Sequence, residues 1–147
     1  MPTMQRESPN RDIDRMNQTE ILPTTAQDWN QRGCDLCEQE NLTLALAAFD
    51  QAISLQADYP TAWNNRGNTL CGLYRYAEAT AAYDKAISLK PQYHQAWFNR
   101  GKLMAELGAY GNAVEAYRQS IEIKADPLYL HALEDIWVKQ KLVPYFS

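Results

Sequence analysis

The 147-residue sequence lacks three features that mark common classes of protein. It has no apolar run near the ~20 residues that a membrane-spanning helix needs, so we expect no membrane insertion. It has no basic excess, since 14 Lys and Arg stand against 18 Asp and Glu, and we expect no nucleic-acid partner. Its N-terminus, MPTMQRESPNRDIDRMNQTE, lacks the hydrophobic segment of a secretory signal, which favours a cytoplasmic protein.

Residues that commonly perform catalysis or bind metals are also scarce. The sequence has two histidines and three cysteines, and an odd cysteine count without a signal favours reduced thiols. Cys34 and Cys37 form a C-x-x-C pair, but structural zinc takes four Cys or His ligands, so we predict small packing roles rather than a metal or redox site. No nucleophile–base pair or glycine-rich phosphate loop is evident, and we predict neither enzymatic activity nor a cofactor.

The sequence is instead rich in repetition. Trp29, Trp63 and Trp97 stand 34 residues apart. The same interval separates the Arg-Gly pairs at 32–33, 66–67 and 100–101 and the alanines at 45, 79 and 113. It also separates the aromatic residues at 49, 83 and 117 and the isoleucines at 53, 87 and 121. A fixed 34-residue period is typical of stacked helical hairpins, so we predict an all-α solenoid.

This period divides the chain into segments. We predict a flexible N-terminal segment over residues 1–25, three repeats over 26–59, 60–93 and 94–127, and a capping helix with an apolar tail over 128–147. Apolar residues at three- and four-residue spacing predict helices at 27–39 and 42–55, at 61–73 and 76–89, and at 95–107 and 110–123.

The repeated glycines predict close contacts between helices. Glycine costs a helix ~1 kcal/mol relative to alanine, so keeping it three times indicates a contact that a side chain would block. We expect Gly33, Gly67 and Gly101 to face the alanines at 45, 79 and 113, with the aromatic residues at 49 and 83 filling the seam to the next repeat.

At these positions the sequence resembles the tetratricopeptide repeat family. In the second repeat the match is carried by Trp63, Gly67, Leu70, Tyr76, Ala79, Tyr83, Ala86 and Pro91. The resemblance covers residues 26–127, although Ala57 and Ala125 replace the usual proline, and the segments WNNRG and WFNRG are similar to bacterial, notably cyanobacterial, members. It implies a non-enzymatic right-handed superhelix, whose first helices line a concave groove for an extended peptide or a partner helix.

The family register assigns a mainly polar set of residues to this groove. The set is Gln27, Asn30, Gln31, Thr61, Asn64, Asn65, Asn68, Gln95, Phe98, Asn99 and Lys102, with Cys34, Cys37, Glu38, Cys71, Gly72, Ala105 and Glu106 beside them. Gln31, Asn65 and Asn99 recur at the 34-residue period, and we expect them to form an amide ladder along the groove. An amide side chain can pair with both polar groups of a peptide unit. The alternative interpretation is a solvated polar face.

One specialisation of the family is not expected here. Co-chaperone members clamp a C-terminal carboxylate with Lys, Asn, Asn, Lys and Arg. The matching positions are Asn30, Cys34, Asn65, Gln95 and Asn99, of which only Asn65 agrees. Without the three cations the carboxylate loses its charge-assisted hydrogen bonds.

A second series, Arg32, Arg66 and Arg100, has two interpretations. These side chains either cover apolar surface and bridge to acidic residues, which we favour, or they bind an acidic ligand.

The C-terminal segment leaves the kind of function open. We predict a helix over residues 128–141 that packs Leu130, Leu133, Ile136, Trp137 and Val138 on the last repeat. Residues 142–146 then either fold back on the third repeat or form an apolar patch for a partner or for a homodimer through residues 128–147. The chain is accordingly expected to bind a protein or peptide partner as an adaptor or scaffold, or to act as a small assembly- or secretion-type chaperone through groove and tail.

Overall fold

Seven helices follow one another along residues 22–146, the part of the chain that this computed structural model describes, with side chains through residue 141. They are α1 (Ala26–Glu38), α2 (Leu42–Leu55), α3 (Pro60–Gly72), α4 (Tyr76–Leu89), α5 (His94–Glu106), α6 (Tyr110–Ile123) and α7 (Pro127–Phe146). No strand occurs within residues 22–146, so the described chain is all-α as predicted. The prediction for the N-terminal segment lies mostly outside the described residues.

The helices pack as three hairpins, α1 with α2, α3 with α4 and α5 with α6. Each second helix also packs on the first helix of the next unit, and α6 packs on α7 in the same way. The first helices α1, α3 and α5 additionally contact one another in succession, which places their side chains along one continuous face. No helix within the described residues combines the length and apolarity needed to cross a bilayer.

The helix boundaries follow local capping chemistry. The second helices α2, α4 and α6 begin and end where the periodicity predicts, whereas each first helix begins and ends one residue earlier than predicted. In α1 the Asp28 amide donates to Thr25 Oγ1 at 3.1 Å, which satisfies a free donor of the first turn. In α3 Pro60 occupies the first turn, where its missing N–H costs no helical hydrogen bond.

The nearest side chain to each of the three repeated glycines is an aromatic ring. A Cβ atom placed on Gly33 would lie 2.4 Å from the Phe49 ring, and one on Gly67 would lie 2.6 Å from the Tyr83 ring. This aromatic residue stands one turn after the alanine that was predicted to face the glycine, and the alanines at 45, 79 and 113 are themselves fully buried. Each repeat therefore packs a large ring onto bare backbone, and Phe49 and Tyr83 are almost fully buried.

The tryptophans and arginines join neighbouring segments. Trp63 Nε1 donates to the carbonyl of Ala57 at 2.9 Å, and Trp97 Nε1 donates to the carbonyl of Pro91 at 3.0 Å. Each indole N–H thereby links a first helix to the loop before it through a hydrogen bond. The salt bridges of Arg66 and Arg100 link neighbouring repeats in a similar way, since Arg66 Nε lies 2.7 Å from Asp50 Oδ1 and Arg100 Nε lies 2.7 Å from Asp84 Oδ1. This arrangement agrees with a structural role for Arg66 and Arg100.

The turn inside each hairpin uses a left-handed residue at the same position of the repeat. Gly108 has φ +77°, while Tyr74 and Glu40 have φ of +60° and +59°. Residues with a Cβ atom pay a steric penalty in this region, whereas glycine does not. The first two hairpins therefore contain local strain that the third avoids.

Replacing Tyr74 with glycine is expected to raise the free energy of unfolding by about 0.5–1 kcal/mol, because it relieves this strain. The Tyr74 side chain is 79% exposed, so little buried surface is lost. Urea unfolding followed by circular dichroism measures the change, with Gly108→Ala as the reciprocal variant that should lose stability. A loss of stability in Tyr74→Gly would show that the edge-on contact between the Tyr74 and Tyr76 rings outweighs the strain.

The last helix caps the array through one stripe of side chains. Tyr129, Leu133 and Ile136 are buried, at the four- and three-residue spacing of a single helix face. Leu130, Trp137 and Val138 lie off this stripe and are 44%, 42% and 58% exposed. Of the set predicted to pack on the third repeat, Leu133 and Ile136 are buried, whereas Leu130, Trp137 and Val138 are covered only in part. The side chains of residues 142–146, and Ser147, lie outside the described part.

Candidate binding groove

The groove is the continuous face formed by the first helices α1, α3 and α5, and amide side chains join these helices in pairs. Asn65 Nδ2 donates to Asn30 Oδ1 at 3.1 Å, which links α3 to α1. Asn99 Nδ2 donates to Asn64 Oδ1 at 3.1 Å, which links α5 to α3. The same bond thus recurs one repeat later, and it fixes the rotamers of amides on neighbouring helices.

This pairing differs from the amide ladder expected from the sequence. Gln31 is exposed and donates to Asp35 of its own helix at 2.9 Å, while Asn65 and Asn99 each bond to a residue 35 positions earlier. The helices are packed so that residue i+35, and not residue i+34, reaches across to residue i. Within the protein the amides of Gln31, Asn65 and Asn99 thus bond to separate partners, and their role as a ladder for a bound peptide stays a prediction.

Two of the predicted groove residues belong to the interior. Phe98 is 8% exposed, and its ring centroid lies 4.4 Å from that of Tyr129 and 5.5 Å from that of Tyr117. Asn64 is 5% exposed and serves as the acceptor for Asn99. Phe98 was misassigned because the capping helix α7 covers this end of the array. Asn30, Asn65 and Asn99 are partly buried, and the exposed members of the predicted set are Gln27, Gln31, Thr61, Asn68, Gln95 and Lys102.

A cavity of about 380 Å³ opens between α3 and α5. It is lined by Asn68, Cys71, Tyr83, Asn99, Lys102, Leu103 and Glu106. The Tyr83 hydroxyl donates to Asn68 Oδ1 at 2.6 Å, and burial raises the pKa of Tyr83 far above its usual range, so the hydroxyl keeps its proton. Among the described residues, Asn68 Nδ2 and Asn99 Oδ1 have no protein partner. Asn68 and Asn99, which both line the cavity, therefore each keep one amide group without a partner among the described residues.

Sequence reasoning placed these residues on one face without revealing the cavity. Tyr83 was expected to fill a seam, and no sequence signal showed that its hydroxyl also positions Asn68. That role depends on the Tyr83 ring crossing the hairpin over Gly67, where a Cβ atom would lie 2.6 Å from the ring.

The three cysteines make weak polar contacts along the same face. Cys37 Sγ lies 3.4 Å from Thr69 Oγ1, and Cys71 Sγ lies 3.5 Å from the Tyr83 hydroxyl. Burial is the main cause that raises the pKa of Cys34 and of Cys71. Their side chains are thus neutral thiols near pH 7, with little of the thiolate that redox chemistry requires. Within residues 22–146, no group of three or more His, Cys, Asp or Glu residues is placed to hold a metal ion.

Comparisons with known proteins agree with this geometry. The family model described as "TPR repeat" matches residues 33–73 and 75–108, more than half of the chain, and the model described as "Tetratricopeptide repeat" matches residues 94–127. No curated protein matches the chain.

Several solved structures share the fold. The first TPR domain of Spaghetti (RPAP3) bound to the HSP90 peptide SRMEEVD superposes with a TM-score of 0.75 at 20% identity, covering 81% of this chain and 94% of that one. The Sgt2 TPR domain from Aspergillus fumigatus gives 0.78 at 21% identity, with 84% of each chain covered. The first TPR domain of human RPAP3 gives 0.76 at 20% identity, covering 82% of this chain and 94% of that one. At these identities the likeness shows the fold alone, and together with the matches along residues 33–127 it means that the chain belongs to the tetratricopeptide repeat family.

Proposed function

We propose that the chain is a protein-interaction module whose groove binds an extended peptide or a segment of a partner protein, as an adaptor or scaffold. The observation that carries this proposal is a pair of amide side chains at the cavity, each with one polar group hydrogen-bonded within the protein and the other polar group free among the described residues. Asn68 Nδ2 is left to donate and Asn99 Oδ1 is left to accept, while the other end of each amide is bonded within the protein. A peptide unit offers the complementary carbonyl and N–H.

The internal bonds of these amides favour binding energetically. Tyr83 holds Asn68 through a 2.6 Å hydrogen bond, and Asn64 holds Asn99 through a 3.1 Å hydrogen bond. Side chains fixed before the ligand arrives lose less conformational entropy on binding than mobile ones. The solved complex of the first TPR of Spaghetti with a peptide supports a peptide as the class of ligand.

Asn68→Asp is expected to weaken peptide binding by about 2- to 10-fold, the range of one hydrogen bond. This variant keeps an oxygen to accept from Tyr83, but it replaces the free N–H₂ donor. The measurement is fluorescence anisotropy with peptides selected from a random 12-residue display library. Asn112→Asp is the matched control, because it adds the same charge at an exposed position of α6.

Two results would contradict the proposal. One is a library from which no peptide is enriched over a bare support. The other is a set of peptides that bind Asn68→Asp, Asn112→Asp and the unchanged chain with equal affinity.

A small assembly- or secretion-type chaperone acting through groove and α7, as a homodimer formed by residues 128–147, is the second candidate. The observation that favours it is the exposed apolar group Leu130, Trp137 and Val138 on α7. Exposed apolar patches of this kind often contact a partner.

If the chain forms this dimer, light scattering of the full chain should give a mass that falls on dilution. The variant Trp137→Glu should give a monomer mass at all concentrations. The charge should abolish pairing without disturbing the cap, because Trp137 lies off the buried stripe of Tyr129, Leu133 and Ile136. A monomer mass for the full chain throughout would exclude this dimer.

A further inference from the structure

We infer that the groove binds an internal, non-acidic segment of its partner, with a neutral residue in the cavity between α3 and α5, and not an acidic C-terminal tail. This inference rests on the proposed function, since it specifies the ligand of the same groove. Its basis is the balance of charges around the cavity and along the groove.

The cavity contains one cation and one anion. Lys102 and Glu106 both line it and stand one helical turn apart on α5. The Lys102 ammonium lies 5.3 Å from the centroid of the Phe98 ring, and the Tyr76 hydroxyl donates to Glu106 Oε1 at 3.4 Å. Burial is the largest cause of the raised pKa of the nearby Cys71 thiol. The charge of Glu106 raises this pKa further, and the charge of Lys102 lowers it. The two charges therefore offset each other at the place where a ligand would lie.

The α1 side of the groove is negative. Asp35, which accepts a hydrogen bond from Gln31 at 2.9 Å, and Glu38 both lie on α1, and both act to raise the pKa of Cys34, after burial and Cys37. The last turns of α1, α3 and α5 contain no basic residue, so the partial negative charge of each helix C-terminus is not compensated there. An acidic peptide laid along the α1 side of the groove would be repelled by these negative charges.

The positions that would clamp a terminal carboxylate form a neutral network instead. Asn65 donates to Asn30 at 3.1 Å and lies 3.6 Å from Cys34 Sγ, and Asn99 donates to Asn64. Arg66 and Arg100 are bonded to Asp50 and Asp84 on the second helices. A carboxylate loses strong hydration on entering the groove, and these amides and thiol give no charge to replace it.

The cavity instead fits a neutral residue of an extended chain. Its volume of about 380 Å³ has room for one side chain with its peptide unit. Asn68 and Asn99 supply one donor and one acceptor, while Leu103 and Cys71 supply apolar contact. A segment within a longer chain satisfies this set, because its backbone has no terminal charge.

The test uses two libraries of random 12-residue peptides. One displays peptides with a free C-terminal carboxylate, and the other displays them with both ends joined to flanking sequence. The expected result is enrichment from the second library, with few Asp and Glu residues among the selected peptides. The heptapeptide SRMEEVD, in its free-acid form, is expected to show no saturable binding at millimolar concentration. Enrichment only from the first library, or binding of SRMEEVD that is lost when its C-terminus is amidated, would overturn the inference.

Two substitutions test the charge balance directly. Glu106→Gln leaves Lys102 unopposed and should improve binding of a peptide carrying one added Asp by about 3- to 5-fold, as expected for an exposed ion pair. Lys102→Gln leaves Glu106 unopposed and should produce the same gain for the matched peptide carrying one added Lys. If neither variant changes the preference between the two peptides, the charges do not face the ligand and the inference fails.

The outcomes distinguish this inference from the proposed function. If neither library yields a binder, peptide binding itself is contradicted. If peptides bind and Asn68→Asp weakens them, but they are acidic and need a free carboxylate, the groove is the binding site and only the inferred ligand class is wrong.

Discussion

Replacing Gly67 with alanine is expected to lower the free energy of unfolding by about 2–3 kcal/mol, the upper range for inserting an atom into a packed core. The new Cβ atom would lie 2.6 Å from Tyr83 Cε1 and 2.7 Å from Cδ1. The Tyr83 ring has no room to retreat, because it is 2% exposed and its hydroxyl is bonded to Asn68 at 2.6 Å. The α3–α4 hairpin would therefore have to separate. In a thermal melt the midpoint should fall by roughly 5–10 °C.

Gly111→Ala is the matched control for this experiment. Gly111 is also helical, and a Cβ atom there would meet no heavy atom within 4 Å. Alanine is the better helix former, so this variant should gain about 0.5–1 kcal/mol. Equal melts for Gly67→Ala and the unchanged chain would show that the hairpin tolerates a side chain at Gly67, and would refute the packing described above.

Ending the chain at Asp126 is expected to have a larger effect, because it removes α7. Tyr129, Leu133 and Ile136 would be lost from the core, at about 1.5–3 kcal/mol of burial each. Phe98 would lose the Tyr129 ring, whose centroid lies 4.4 Å from its own. The third repeat would then expose its final apolar face, which solenoids tolerate poorly without a cap. We expect loss of helical circular dichroism and a strong increase in binding of a hydrophobic dye.

A chain ending at Lys141 provides the comparison. It keeps the buried stripe of Tyr129, Leu133 and Ile136 and removes only residues whose side chains lie beyond the described part. It should melt as a folded protein with its helical content nearly intact. If the chain ending at Asp126 melts like the chain ending at Lys141, α7 is not a necessary cap.

The sequence predicted the second helices more accurately than the first ones. Helices α2, α4 and α6 each bury one stripe of mainly small and aromatic residues, so their periodicity defines both ends. The first helices begin where Thr25 caps a free amide or where Pro60 fits the first turn. The starts of α1 and α3 therefore depend on capping chemistry as well as on hydrophobic pattern.

The site was less predictable than the fold. Family register placed Asn65 and Asn99 on the first helices, but their partners Asn30 and Asn64 depend on how far one helix is rotated and shifted against the next. The same uncertainty placed Phe98 in the groove, although α7 buries it against Tyr129. Interhelical contacts of this kind join residues about 34 positions apart, and they depend on how the helices pack. A local sequence pattern does not specify that packing.

The sequence by itself determined the repeat, the helices and the family, because a 34-residue period in tryptophan, glycine and alanine is compatible with few architectures. Only the tertiary structure decided which side chains meet. It placed Tyr83 over Gly67, directed the Tyr83 hydroxyl to Asn68, and left Asn68 and Asn99 each with one unused polar group. The physical reason is that periodicity fixes the face on which a residue lies, whereas hydrogen-bond partners and cavities depend on distances between helices that only packing sets.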